Sequence, residues 1–353
     1  MRITFGTNQI KNKQMKRLLF NAAFLITGLL YISSAIAQQE EKEKKTYQEP
    51  KFKKTKSYSK SYSLSGSDKV SLSNQFGEMK IMTWDKNEVK VDATITGKSD
   101  DEARAQQILD KISIVDSKEG GTASFKTKFA DDKNDDKKTW SKGEHRNEGM
   151  QIDYLVYLPS GNALNAENQF GKMIVPDFRG EAVLESKFGS LTAGKISNAK
   201  SVTVEFGKAD IAHINGGKLT IKFSEGTVNK LSGDIKADIE FSQAKLVIDN
   251  EVKSFDLHNS YATVYLDLNK SLSATYDIHT SHGSFANKSD FTIKSQSEDR
   301  NGYGPRFDYR YTGTSGSGTL KIKASSSFGE IVAGHNLQVD MTKKKKAKNT
   351  RTI

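Results

Sequence analysis

A short motif that returns about every 18 residues constrains this chain more than any other feature. It reads Phe, then Gly or Ser, any residue, a small or apolar residue, a polar residue and an apolar one. The copies begin at Phe76, Phe170, Phe188, Phe206, Phe223, Phe241, Asn259, Thr280 and Phe328. Between Phe170 and Asn259 the starts are 18, 18, 17, 18 and 18 residues apart. A near-constant period of this size predicts a solenoid in which each copy forms one coil.

The columns of the motif indicate strands. Its second column holds only Gly or Ser, and its fourth and sixth columns hold no charged residue. In the middle copies, the positions two and four residues before the start are apolar, as Val204 and Val202 illustrate. Apolar residues therefore recur with a period of two, which is the period of a β-strand and not of a helix. We predict an all-β, single-stranded β-solenoid, with a twisted β-sandwich of coincidental spacing as the alternative.

The Phe column predicts an aromatic stack inside the solenoid. Rings on neighbouring coils would lie about 4.8 Å apart, with the small second column turning the corner beside them, since Gly tolerates unusual backbone angles. The column before the ring alternates in charge and predicts an outer face on which opposite charges lie side by side. Its members are Lys187, Glu205, Lys222, Glu240, His258 and His279.

The N-terminus has the features of a secretory signal. Met15-Lys16-Arg17 is basic, Leu18 to Ile32 is mostly apolar, and Ala35-Ile36-Ala37 is a small-x-small cleavage site before Gln38. Cysteine is absent, which excludes disulfides and thiolate metal sites. The net charge of +11 includes five bases from residues 1–37, and falls to +6 without them. We expect an exported protein of the periplasm, outer-membrane surface or extracellular space, with no transmembrane helix after cleavage.

Five regions are expected along the chain. Residues 1–37 are the upstream residues and signal peptide, and 38–61 form a flexible charged leader. Residues 62–161 form a strand-rich part with one helix near 100–111 and a mobile loop over 130–150. The regular coils occupy 162–340, and 341–353 form a basic tail. The 48 residues between Thr280 and Phe328 predict two coils plus an excursion around 295–304.

The chain resembles the adhesin-like β-solenoid domains of unknown function found in bacterial envelope proteins, of the auto-transporter adhesin type. The signal peptide, the Leu158-Pro159-Ser160-Gly161 turn and the Phe-Gly pairs at Phe170 and Phe328 carry the resemblance, which covers about residues 62–335. It implies a secreted or surface solenoid, right-handed, with no catalytic residues. The chain departs from a true auto-transporter because no C-terminal segment has the pattern of a membrane barrel.

Histidine is the one candidate metal ligand. His258 and His279 share a column on consecutive copies, and His282 follows three residues later, so stacked imidazoles are a candidate cation site. No carboxylate obviously completes the set. We therefore assign no metal, no cofactor and no catalytic residue, and expect chelators to leave the fold unchanged.

A carbohydrate-active enzyme is the main functional alternative. Glycoside hydrolysis needs two carboxyl groups facing one groove, and Asp234, Asp238 and Glu240 lie close in sequence but on an outward face. Nucleotide, hydrolase and zinc-protease motifs are absent, and lysine alternates with glutamate, which disfavours nucleic acid. The expected function is non-enzymatic: an adhesin-like binding or structural module whose partner is an envelope component or a glycan. An accessory role in periplasmic envelope-stress signalling remains open.

Overall fold

The computed structural model describes residues 49–130, 147–296 and 307–341. Over these ranges the protein is all-β with one short helix, and its strands form one open sheet. The strands up to the regular coils are β1 (Phe52–Ser63), β2 (Lys69–Gln75), β3 (Met79–Trp84), β4 (Glu88–Ser99), β5 (Ile112–Glu119), β6 (Thr122–Phe129), β7 (Glu148–Pro159), β8 (Ala163–Gln169), β9 (Lys172–Val175) and β10 (Phe178–Lys187).

The remaining strands are longer in the middle of the chain and short at its end. They are β11 (Ser190–Glu205), β12 (Lys208–Lys222), β13 (Glu225–Glu240), β14 (Gln243–Ser260), β15 (Thr263–Leu268), β16 (Ala274–Ser281), β17 (Ser284–Lys288), β18 (Ile293–Gln296), β19 (Asp308–Ser315), β20 (Leu320–Ser327) and β21 (Glu330–Gly334). Among the residues that the structure describes, no helix is long and apolar enough to span a bilayer.

Helix α1 (Glu102–Asp110) confirms the one helix expected from the sequence. Asp101 is its N-cap and accepts a hydrogen bond from the Arg104 N–H at 2.7 Å, which satisfies one of the free donors of the first turn. Its buried face packs on β4 and β1. The signal peptide, the core of the expected loop (131–146) and the tail from 342 onward lie outside the described residues.

The leader expected over 38–61 is wrong from Phe52 onward. Strand β1 pairs antiparallel with β4 along its whole length, from Phe52 opposite Ser99 to Ser63 opposite Glu88. Four lysines lie on this strand, and charged residues of this kind protect a sheet edge from pairing with other chains. The Lys/Ser-rich composition that suggested a flexible leader is therefore the composition of an edge strand.

The central strands pair in parallel with the spacing of the motif. Val204 lies opposite Ile221, which lies opposite Ile239. In the same way, Ala209 lies opposite Gly226, which lies opposite Ala244. These residues are all buried, so the apolar columns predicted to face inward do so. The parallel pairing disfavours the sandwich alternative, in which neighbouring strands are antiparallel.

The parallel pairing extends beyond the range expected for the coils at the N-terminal end. β2 pairs in parallel with β8, and β3 with β9, so Phe76 and its neighbours stack directly on the coil of Phe170. The inward position two residues before each ring changes character along the stack. It is polar at one end (Asn74, Asn168), apolar in the middle (Val204) and polar again at the other end (Asn259, Ser326).

Two expectations about the C-terminal end are wrong. Among the described residues, only one coil, β16–β17, lies between β15 and β20, and the antiparallel pair β18–β19 follows it where a second coil was expected. The motif start at Asn259 is also displaced by two residues, because Gln243 and Ala244 lie opposite Thr263 and Val264. Tyr261 therefore takes the place of the ring, and its distance from Phe241 is 20 residues.

Candidate functional site: an exposed aromatic ladder

Ten stacked rings form one continuous ladder on the outside of the protein. Their order in space is Phe76, Phe170, Phe188, Phe206, Phe223, Phe241, Tyr261, Phe328, His282 and Phe307. Neighbouring ring centroids lie 4.5–4.9 Å apart, close to the spacing of hydrogen-bonded strands. The aromatic ladder is roughly 40 Å long at this spacing. Phe129 meets Phe76 edge-on at 5.9 Å and closes one end.

The expectation that these rings lie inside the coils is wrong. Phe188, Phe206 and Phe223 are 47–48% exposed, although they stack as expected. The reason is the backbone: every ladder residue from Phe76 to His282 has a φ between +48° and +61°. This left-handed conformation turns the side chain away from the inward face on which the period of two would have placed it. For a residue with a Cβ it costs about 1–2 kcal/mol.

Backbone hydrogen bonds between coils hold these corners in place. The Phe188 N–H donates to the Glu205 carbonyl at 2.9 Å, and the Phe206 N–H to the Lys222 carbonyl at 3.0 Å. On the other side of the corner, the Lys208 N–H donates to the Gly189 carbonyl at 3.0 Å. The corner is therefore paired like the strands that flank it, which offsets the strain of the left-handed residue.

The small column beside the rings is needed for close approach. A Cβ on Gly189 would lie 1.9 Å from the carbonyl oxygen of Gly171, and one on Gly207 would lie 1.9 Å from that of Gly189. The glycines themselves do not have the left-handed angles that we expected of them, since the ring residues do. Glycine here removes a clash between coils instead of relaxing a turn.

The ladder exposes ring edges rather than ring faces. Each internal ring has a neighbour on both faces, with interplanar angles of 1–8° from Phe76 to Phe328. Eight of the rings are 45–52% exposed, and a strip of this kind offers roughly 800 Å² of apolar surface. The largest apolar patch on an ordinary monomer is about 300–600 Å². A groove of about 480 Å³ runs beside Tyr261, Phe328 and His282.

The charges next to the ladder neutralise one another. Lys187, Glu205, Lys222 and Glu240 lie opposite one another on consecutive strands, as the sequence predicted. Lys222 Nζ lies 3.1 Å from Glu240, and Lys208 Nζ lies 3.2 Å from Glu225 on the other side of the corner. A hydrogen bond to Glu185 raises the pKa of Lys187 and keeps it charged. The flanks therefore present no large field of one sign.

The candidate histidine site is not assembled. Strand β20 lies between the two strands concerned, so that His258 and His279 both lie opposite Ser325 and not opposite each other. His258 Nδ1 is 2.9 Å from Ser325 Oγ, and His282 is a rung of the ladder. Within the described ranges there is no group of three or more His, Cys, Asp and Glu side chains that could hold a metal ion.

The other two histidines of the described ranges bridge coils. His213 Nε2 is 2.7 Å from Ser232 Oγ, and burial together with the nearby Lys195 and Lys230 lowers the pKa of its imidazole. His335 contacts the Leu268 carbonyl through Nδ1 and the Asp290 carboxylate through Nε2, both at 2.7 Å. Each ring links segments that are distant in sequence, which is a structural role.

The three carboxyl groups considered for glycoside hydrolysis are engaged on the outer face. Asp238 is 2.6 Å from Lys218 Nζ and Glu240 is paired with Lys222, while Asp234 accepts a hydrogen bond from Ser254 at 2.6 Å. Asp234 also lines a groove of about 460 Å³ whose rim carries Lys236 and Lys323. Neither Asp238 nor Glu240 lines that groove.

The sequence analysis did not predict three members of the ladder: Tyr261, His282 and Phe307. A signal existed for Tyr261, because Tyr261-Ala262-Thr263-Val264-Tyr265-Leu266 fits the motif better than the segment that starts at Asn259. A search for any aromatic residue followed by a small one would also have found His282-Gly283. Phe307 has no such signal, since it joins the ladder from an antiparallel neighbour of β16.

No family model matches the chain. No curated protein matches it either. Among solved structures, a candidate adhesin from Bacteroides fragilis is 10% identical, with 79% of this chain and 97% of that chain covered and a TM-score of 0.35. A candidate cell adhesion protein from Clostridium sporogenes is 13% identical, with 80% and 100% covered and a TM-score of 0.25. A candidate lipid binding protein from Parabacteroides distasonis is 12% identical, with 78% and 96% covered and a TM-score of 0.26.

Proposed function

We propose that this chain is an exported, non-enzymatic binding protein of the bacterial cell envelope, and that the aromatic ladder is its binding surface. The single observation that carries the proposal is the ladder itself, a strip of half-exposed rings about 40 Å long at the strand spacing. Nine of its residues have a left-handed backbone. Strained residues of this kind concentrate at functional sites.

The architecture that supports this surface is a single-stranded β-solenoid, which we expect to be right-handed. The register of β11 to β14 supports it, since each strand is bonded in parallel to the next one in the chain. Stacked coils form a rod-like array because each coil contacts only its neighbours. A rod of this kind holds ten rings in one line without any other framework.

The partner that best fits the aromatic ladder is a protein with an extended apolar face. Sugars bind aromatic residues through the ring faces, and here a neighbouring ring covers each internal face. Roughly 800 Å² of apolar edge is the area that one partner buries in a protein interface of standard size. The paired charges on both sides of the ladder favour a neutral partner surface over an anionic polymer.

Export rests on the first 37 residues of the sequence. The basic Met15-Lys16-Arg17, the apolar stretch and Ala35-Ile36-Ala37 together support cleavage before Gln38. A carbohydrate-active enzyme has less support, since Asp238 and Glu240 are each paired with a lysine and lie outside the groove beside Asp234.

Photo-crosslinking in cells tests the proposal. A benzoylphenylalanine at Phe206 is expected to give a discrete protein adduct in the envelope fraction, while the same residue at Val115, which is 46% exposed and not part of the ladder, gives none. The double change Phe188→Ser and Phe223→Ser should abolish the adduct. An exported chain that gives no adduct from Phe206 would contradict the binding role. A glycan array bound equally by the native and the double-serine chain would place binding elsewhere.

A further inference from the structure

The order of strands in space departs from their order in the chain at the C-terminal end. From β11 to β14, each strand is hydrogen-bonded to the next one in sequence. β16 should then lie on β14, but β20 lies between them and pairs in parallel with both. On the other side of the corner, β21 lies in the same way between β15 and β17. We call Leu320–Gly334 the inserted segment.

The inserted segment is bonded along both edges. Residues Ser254–Ser260 lie opposite Lys321–Ser327, and Ala274–Ser281 opposite Leu320–Ser327. Its inward side chains, including Leu320, Ile322 and Ile331, are buried. Its ring, Phe328, stacks between Tyr261 and His282 at 4.9 Å from each. It therefore completes both the core and the ladder at this end.

A buried amide ties the inserted segment to the coil below it. Asn259 Nδ2 donates to Ser326 Oγ at 3.0 Å and lies 3.3 Å from the Glu330 carbonyl, which is on the far side of the corner. The same nitrogen donates to the Ala262 carbonyl in its own coil at 3.1 Å. These contacts recognise backbone and a hydroxyl, so they are satisfied by this segment from any copy of the chain.

Both coils that flank the inserted segment precede it in the chain. Without Leu320–Gly334, a space one strand wide separates the two coils, and we call this space the slot. The edges of the slot then carry unpaired N–H and C=O groups, and such edges accept any strand of suitable pattern. Docking of the segment therefore pairs two strand edges at once, and both belong to strands that are earlier in the chain.

The link between β19 and the inserted segment is short, and the chain changes direction there. Strand β19 lies antiparallel on the outer edge of β16, and the chain then crosses the end of β16 to reach its inner edge. The crossing uses Gly316 and Gly318, both with positive φ, and Ser317 Oγ contacts Ser273 Oγ at 2.9 Å. Short hinges of this kind are where proteins exchange identical elements between copies.

We infer that the slot accepts the inserted segment of a second copy of this chain, which gives a strand-exchanged dimer. In this dimer, the Leu320–Gly334 segment of each copy completes the core and the ladder of the other. The contacts are those already described, so no new surface is needed. The exchange depends on concentration, because docking within one chain competes with docking between two.

An engineered disulfide distinguishes the two modes of docking, since the chain has no cysteine of its own. Asp256→Cys with Lys323→Cys joins two residues that lie opposite each other across one edge of the slot. Lys218→Cys with Lys236→Cys is the matched control, on β12 and β13, which are consecutive in the chain. The full chains are unfolded, refolded at two concentrations about a hundredfold apart, and oxidised with diamide.

The test pair is expected to give an intrachain bond at the low concentration and a covalent dimer at the high one. The control pair is expected to give an intrachain bond at both. Intrachain closure of the test pair at both concentrations would overturn the inference. Dimers from both pairs, or no bond from the test pair, would also overturn it, because the exchange must be confined to the slot.

Discussion

The corners at Gly171, Gly189 and Gly207 and the corners at Ser224 and Ser242 occupy one column of the motif but are built differently. At the glycine corners, a Cβ would lie 1.9 Å from a carbonyl oxygen of the next coil. At the serine corners, the hydroxyl takes part in the corner. Ser242 Oγ donates to the Glu240 carbonyl at 2.6 Å and accepts the Ser224 N–H at 3.0 Å.

The difference shows that residues in one column of the motif can join neighbouring coils in two physically different ways. The glycine corners join coils by close backbone fit, with nothing at the Cβ position. The serine corners join them by a chain of side-chain hydrogen bonds, in which Ser224 Oγ also accepts the Gly207 N–H at 3.0 Å. A close backbone contact cannot accommodate an added Cβ, whereas the loss of one side-chain hydrogen bond lowers the free energy of unfolding only moderately.

The largest effect is expected for Gly189→Ala. Its Cβ would meet the Gly171 carbonyl oxygen, and since both partners are backbone, the coils must separate. We expect the free energy of unfolding to fall by about 4 kcal/mol in urea titrations. Gly66→Ala is the control, because a Cβ there meets nothing within 4 Å. Equal stability of the two variants would show that the glycine corner is not closely fitted.

Phe206→Ala is expected to cost about 2 kcal/mol, because the ring is half exposed and loses two stacking neighbours. Ile221 is fully buried, so Ile221→Ala should lower the free energy of unfolding by about 3 kcal/mol and gives the reference value for an interior residue. Phe206→Gly sharpens the test. Glycine relieves a φ of +55°, so it should be no worse than alanine and up to about 1 kcal/mol better. A glycine variant clearly less stable than the alanine variant would contradict the strain at this corner.

The sequence predicted the inward columns correctly but not the rings. A period of two that runs through Val202 and Val204 places Phe206 inside, and the period holds until the corner. The left-handed backbone at Phe206 then reverses the direction of the side chain. A hydrophobicity pattern contains no backbone angle, so a large apolar residue at a corner is assigned to the core by default.

The inserted segment could not be predicted for a different reason. The distance from Thr280 to Phe328 fits two further coils, and each local pattern is that of an ordinary strand. Which strand lies beside which is decided by contacts far apart in sequence, such as Asn259 with Ser326. The misplaced start at Asn259 had a local cause, since Ser260, Ala262 and Val264 fill the small and apolar columns of the motif at a spacing of 18 residues.

Ser242→Ala tests the serine corners and should cost about 1–2 kcal/mol, because the Ser224 N–H loses its acceptor. The hydroxyl also lies 3.2 Å from the Ile221 carbonyl, which links it to the coil before. Ser317→Ala is the control, since its hydroxyl is exposed and lies 2.9 Å from the equally small hydroxyl of Ser273. A Ser242→Ala variant as stable as the Ser317→Ala control would show that the hydrogen bond at the serine corner is secondary.

The smallest expected effect is a change of stability with pH at His213, where side-chain hydrogen bonds also join neighbouring coils. Ser232 Oγ donates to Asn215 Oδ1 at 3.0 Å, so its contact with His213 is a hydrogen bond donated by Nε2. Burial, Lys195 and Lys230 lower the pKa of His213 below its ordinary value of 6.5, while Glu251 and Asp249 act in the opposite direction. The unfolded chain then binds the proton more readily than the folded protein.

The contribution of His213 to stability should therefore be constant above about pH 6.5 and fall as the pH drops through the interval between the unfolded and folded pKa values of this residue. His213→Gln keeps a donor toward Ser232 but does not titrate. The difference in the midpoint of thermal unfolding between the native chain and this variant should change between about pH 8 and about pH 5 in favour of the variant. Glycine corners contain no titrating group, so Gly189→Ala should shift the midpoint equally at both pH values. If the difference in unfolding midpoint between the native chain and His213→Gln is the same at both pH values, the imidazole has the same pKa in the folded and unfolded states.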